Sequence, residues 1–242
     1  MDLALSLIAA LAASVFAAEL WLNYRGRPRP HIAAYAVGMT LFAIATWALF
    51  AGLSSGWTGH AYRAFFLFGA VLNIPFLALG SMFLVAGPRW GHTMAIALGA
   101  LTAISTTLVT TVPFVRELPI DGIPEKMWDS GFGPRLFAII GGATGTTILV
   151  ALALVSVFRF WKTRRNIVYG NLLIVGGTLA AASGGTGLAL GEAGAFSVSL
   201  LVAVTLIWAG YRLASGERKQ TPGEVGETGG QERVDQPKTK GV

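Results

Sequence analysis

The chain has 242 residues, of which 54% are hydrophobic and only 12% charged, with 31 glycines and no cysteine. A soluble domain carries about a quarter charged residues, so a water-facing globule of ordinary size is excluded; the lack of cysteine separately excludes any disulfide, thiolate ligand or S-acylation site. The formal net charge of +6 does not point to nucleic acid, because the basic residues sit at the ends of apolar runs, as they do in oriented membrane helices.

Seven apolar runs follow one another, at approximately 3–22, 32–53, 64–86, 93–115, 136–158, 167–190 and 195–214. Each is about the roughly 20 residues that a bilayer core demands. None shows the period-2 alternation of an outer-membrane strand, and in lipid only helices satisfy their own backbone without closing into a barrel. The predicted fold is therefore all-α, a polytopic transmembrane bundle of seven spans. It comprises residues 1–215, followed by a polar, aromatic-free stretch, 216–242, expected to be a disordered cytoplasmic tail.

The first run resembles a secretory leader in that Val15-Phe16-Ala17 looks like a small-residue cleavage site, but it opens with Asp2 and its positive charge (Arg25, Arg27, Arg29) comes after it. That order suits a retained helix with an outside N-terminus. On this orientation the inner loops and tail start hold eleven basic residues: Arg25, Arg27, Arg29, Arg89, Arg159, Lys162, Arg164, Arg165, Arg212, Arg218 and Lys219. The outer loops hold four, Arg63, Arg116, Lys126 and Arg135. An odd number of spans then places the C-terminus inside. Glu19, near the inner end of span 1, is expected to reach towards Arg25.

Counting ~1.5 Å per residue, the bilayer centre falls near Thr40, Asn73, Thr106, Thr144, Thr178 and Thr205. Such a layer either faces inward and meets a polar solute, or consists of threonines bonding their own i−4 carbonyls. In span 3, Pro75 lacks the N–H that would bond the Val71 carbonyl, which predicts a kink at mid-membrane. The amide of Asn73 is the nearest group to satisfy the freed oxygen. Span 6 carries Gly170, Gly176, Gly177 and the run Ser183-Gly184-Gly185-Thr186-Gly187. This reads either as backbone that unwinds around a ligand or as close helix contact, the reading also given to Gly141-xxx-Gly145 in span 5. These glycine-rich faces also make homo-oligomer contact an expectation.

The outer loop 116–135 carries Glu117, Asp121, Glu125 and Asp129, but Pro119 and Pro124 interrupt any single helix. It is expected to cap the bundle rather than to hold a metal ion. His31, His60 and His92 lie at span ends, which does not suit axial haem ligation, and no base lies within a span to activate a nucleophile. The last span has no lysine for a retinal Schiff base. No enzyme activity, cofactor or metal is therefore expected.

The stretch Tyr62-Arg63-Ala64-Phe65-Phe66-Leu67-Phe68-Gly69-Ala70-Val71-Leu72-Asn73-Ile74-Pro75-Phe76-Leu77-Ala78-Leu79-Gly80, together with Gly191-Glu192-Ala193-Gly194-Ala195-Phe196, resembles a family of uncharacterised seven-span integral membrane proteins of actinobacteria. The likeness covers the membrane region and not the tail. It implies a bacterial cell (inner) membrane setting and no particular activity.

The functional expectation is a permease-like carrier of a small solute. Asn73, Thr106 and Thr178 would contact the solute, with Pro75 as hinge and Gly184 and Gly185 as flexible backbone. The alternative is a non-transporting sensor or scaffold that acts through the cytoplasmic tail.

Overall fold

The computed structural model describes residues 2–119, 122–124, 126–129, 132–162, 165–189 and 195–215. Helices account for nearly all of them, and no strand occurs among the described residues. Seven helices are long and apolar enough to cross a membrane. They are α1 (Asp2–Gly26), α2 (Pro30–Ser55), α3 (Gly59–Val85), α4 (Pro88–Thr111), α5 (Pro134–Phe160), α6 (Arg165–Ala189) and α7 (Phe196–Ser215). The expected seven-span bundle is thus the observed one. The expected tail, 216–242, lies outside the described residues.

Proline accounts for three of the helix starts. Pro30, Pro88 and Pro134 each occupy the opening turn, where the missing N–H has no intrahelical partner to lose. The connections α1–α2, α2–α3 and α3–α4 are only a few residues long, so consecutive helices run antiparallel. α5 runs parallel to α3, since Gly141 lies opposite Val71 and Gly145 opposite Pro75. The links α5–α6 and α6–α7 are again short, so the starts of α2, α4 and α6 share one face with the C-terminal ends of α1, α3, α5 and α7. That face carries Arg25, Arg27, Arg29, Arg89, Arg159, Lys162, Arg165 and Arg212, and is called the basic face below.

Packing follows the small residues. Between lipid-solvated helices there is little hydrophobic drive, so close van der Waals fit decides which faces meet. In the α2–α3 seam, Gly38 receives Leu77, Gly80 receives the ring of Tyr35, and Gly52 lies under the indole of Trp57. α3 then meets α5, α5 meets α6, α6 meets α7, and α7 returns to α1. The interior of this ring is filled by Phe16, Leu20, Met39, Leu49, Val71, Leu72, Leu77 and Leu149, all essentially buried. Aromatic contacts tie α7 inward: Phe16 stacks on Trp208 at 5.7 Å, and Tyr35 meets Tyr211 edge-on at 6.3 Å.

α4 lies outside the ring. Its buried residues are only Gly91, Leu98, Ser105 and Val109, a single stripe, while Ile96 is 77% exposed. Its C-terminal end is held by Arg63, whose guanidinium donates to the carbonyl of Val109 and to that of Val112 at 3.0 Å. The same group lies 4.5 Å over the ring of Phe114. A cation is well placed there, since the last carbonyls of a helix are unsatisfied and carry its negative dipole end.

The loop after α4 folds back as an apolar plug. Ile123, Met127 and Trp128 are buried, with Trp128 packed against Tyr62, Phe66 and Phe114. Trp57 Nε1 donates to Gly122 O at 2.7 Å, and Val115 N to Met127 O at 3.0 Å. Glu117 and Asp129 stay exposed at its surface, so the loop caps the bundle as expected. Asp121 and Glu125 lie outside the described residues. Replacing Arg63 by methionine keeps the apolar stem and removes the donors. A loss of about 1.5–3 kcal/mol is expected, the worth of hydrogen bonds to a charged group. Thermal melting in detergent checks it, with Arg63→Lys falling between parent and Met.

Candidate functional site

α3 is not a plain α-helix. Residues Phe65–Leu72 form a π-helical stretch, and Asn73 N bonds Phe68 O, five residues back. A regular α segment, Asn73–Val85, begins directly afterwards. The cause is Pro75. The register change places it in the first turn of the new segment, where a missing N–H costs little. One inserted residue also re-aims every side chain that follows.

The carbonyl of Val71, four residues before Pro75, meets a glycine rather than the Asn73 amide. A Cβ on Gly141 of α5 would stand 2.5 Å from Val71 O, and one on Gly145 would stand 3.0 Å from Pro75 N. Only hydrogens fit there. The expectation that Asn73 satisfies this oxygen is corrected. α5 approaches through its small-residue stripe and covers the break in α3. Asn73 is buried at 3% exposure, and its Oδ1 accepts no hydrogen bond from a described residue.

The layer of hydroxyls at mid-depth does not converge. Thr40, Thr144, Thr178 and Thr205 each donate to the carbonyl four residues back on their own helix. Thr144 and Thr205 are exposed at the bundle surface. Thr178 is buried on α6, whereas Thr106 is half-buried on the peripheral α4, whose substantial seams are with α3 and α5. Asn73, Thr106 and Thr178 are therefore not one cluster.

Gly184 and Gly185 do not mark unwound backbone, because α6 runs unbroken from Arg165 to Ala189. Gly184 is a notch that takes Ser199 of α7, and Gly185 faces open space. Glu19 pairs with Arg212 rather than Arg25. Its carboxylate accepts from Arg212 Nη2 at 2.9 Å, Arg212 Nε at 3.2 Å and Trp208 Nε1 at 2.9 Å, which ties α1 to α7 near the basic face.

Polar side chains do converge elsewhere, between α3, α5 and α6 on the basic-face side of Pro75. Ser81, Leu149, Leu152, Ala153, Asn171, Ile174 and Val175 line a crevice with no room for a water molecule. Ser81 shares a 2.8 Å hydrogen bond with Tyr35 of α2. Across the crevice, Asn171 Nδ2 donates to Ser156 Oγ at 2.9 Å. All four residues are at least nine-tenths buried, and Asn171 Oδ1 has no partner among the described residues. Asn73, Thr106 and Thr178 do not line it, although Thr178 lies two turns from Asn171 on the same stripe of α6.

Asn171, Ser81, Ser156 and Tyr35 are not legible from polarity at the bilayer centre, because they lie nearer the basic face. One signal was present. Asn171 and Thr178 are seven residues apart, with Ile174 and Val175 between them, so they mark a single inward face of α6.

No family model, curated protein or solved structure matches the chain.

Proposed function

We propose that this multi-pass membrane protein is a carrier for a small solute, with the crevice between α3, α5 and α6 as its solute site. One observation supports this above the others: a buried amide oxygen, Asn171 Oδ1, is left without a partner in a crevice that it shares with Ser81. Leaving a buried acceptor unsatisfied costs about 1–3 kcal/mol, and polar groups held within spans are characteristic of solute pathways. The crevice has no room for a water molecule as it stands, so binding requires α5 and α6 to part from α3. The glycine seam at Gly141 and Gly145 and the π-helical break beside Pro75 are where such a shift meets least side-chain interlock. Asn73, Thr106 and Thr178 do not line this crevice and are left out of the proposed site. The charge count supports an N-terminus outside and a basic face in the cytoplasm, and the resemblance of the Tyr62–Gly80 stretch would make the membrane a bacterial one.

The test is a thermal-shift screen of solutes on purified protein beside its Asn171→Leu variant. A solute of the site raises the melting temperature of the parent by several degrees and that of Asn171→Leu by distinctly less, the deficit corresponding to about 1 kcal/mol, the worth of one hydrogen bond. Equal stabilisation of both would place the site elsewhere. Removal of 216–242 is expected to leave the shift intact; a protein that signals through its tail would instead lose its output.

A further inference from the structure

We infer that the solute is small, neutral and hydroxylated, of the short polyol class, an inference that rests on the carrier reading above. The lining contains no ionisable side chain: two polar residues, Ser81 and Asn171, face five apolar ones. Moving an unpaired ion into such surroundings costs far more than a single amide and a hydroxyl return. Charged solutes are thus rejected by desolvation.

The hydrogen-bonding capacity left over narrows the class further. The Nδ2 of Asn171 is committed to Ser156, while its Oδ1 awaits a donor. On the other wall, the Tyr35–Ser81 pair holds two hydroxyl protons and makes one mutual bond. It therefore keeps one proton to give and lone pairs to accept with. A solute hydroxyl donates to Asn171 and accepts from Ser81 through the same oxygen. It also remains compatible if the amide turns over, because a hydroxyl serves in both roles. The carbon skeleton of a short polyol then lies against Leu149, Leu152, Ala153, Ile174 and Val175.

The experiment is stopped-flow light scattering on vesicles reconstituted with the full chain, using glycerol, potassium chloride and sodium phosphate as separate probes. Glycerol entry is expected to exceed that of protein-free vesicles. Asn171→Leu and Ser81→Ala are each expected to lower it about tenfold, one hydrogen bond's worth in the rate-limiting step. Leucine keeps the branching of asparagine but is larger, so a melting temperature within a few degrees of the parent is required to show that the variant is folded; Ser81→Ala, which removes atoms and adds none, provides the second arm. Glycerol flux indifferent to both substitutions overturns the assignment of the site. Potassium or phosphate flux that depends on Asn171 overturns the solute class and leaves the carrier reading standing. No protein-dependent flux of any probe, together with no solute shift in the melting screen, overturns the carrier reading itself.

Discussion

Replacing Gly177 by valine is expected to cost at least the ~1–3 kcal/mol of ordinary overpacking, read as a lower melting temperature in detergent and a smaller folded yield. The reason lies in the α6–α7 seam. Gly170, Gly177 and Gly184 recur every seven residues on α6 and meet Gly210, Ala203 and Ser199 of α7. A Cβ on Gly177 would stand 2.7 Å from Ala203 O and 2.7 Å from Ile207 Cγ1, and one on Gly170 2.6 Å from Gly210 O. Two of these obstacles are backbone atoms, which no rotamer change can clear, so the helices must separate along their length. The control is Gly185→Ala, which meets nothing within 4 Å. It is expected to be neutral or stabilising by up to about 1 kcal/mol through helix propensity. Adjacent glycines should thus respond with opposite sign, Gly184→Ala destabilising and Gly185→Ala not. If both behave alike, α6 does not pack on α7 through this stripe.

The second large effect is expected at Gly141. Alanine there drives a methyl to 2.5 Å from Val71 O, which parts α5 from α3 at the break in α3. A loss of about 1–3 kcal/mol is expected, with any transport activity falling alongside it. Pro75→Ala tests the cause. A restored N–H at position 75 can bond Val71 O and remove the need for the π-helical register, which withdraws the carbonyl from the α5 notch. The Gly141→Ala penalty should then shrink in the Pro75→Ala background. A double-mutant cycle on melting in detergent is expected to show a coupling of about 0.5–3 kcal/mol, the range for residues in contact. A coupling near zero would mean that the glycine notch and the proline act independently.

The charge pattern and hydropathy of the spans left little freedom about the class of fold, because lipid demands long, self-satisfied helices whatever their neighbours. Pro75 was equally legible as a disturbance, since a residue without an N–H disturbs a helix in any context. The same local rules explain what was readable about the threonines: each has a carbonyl of its own helix within reach, and Thr40, Thr144, Thr178 and Thr205 use it.

Partnership was not legible in this way. Glu19 has Arg25 nearby in sequence, yet it binds Arg212, 193 positions away, because α7 closes the ring against α1. The glycines of span 6 were ambiguous between unwinding and contact until Ala203, Ser199 and Gly210 were opposite them. Asn171 and Ser81 are unremarkable in their own helices and come to line one crevice only where α3, α5 and α6 meet. A single helix obeys rules of backbone and solvent that each short stretch of sequence carries within itself. Which stripe meets which depends on shape complementarity and polar pairing between distant segments, because in a bilayer the hydrophobic effect does not select between them.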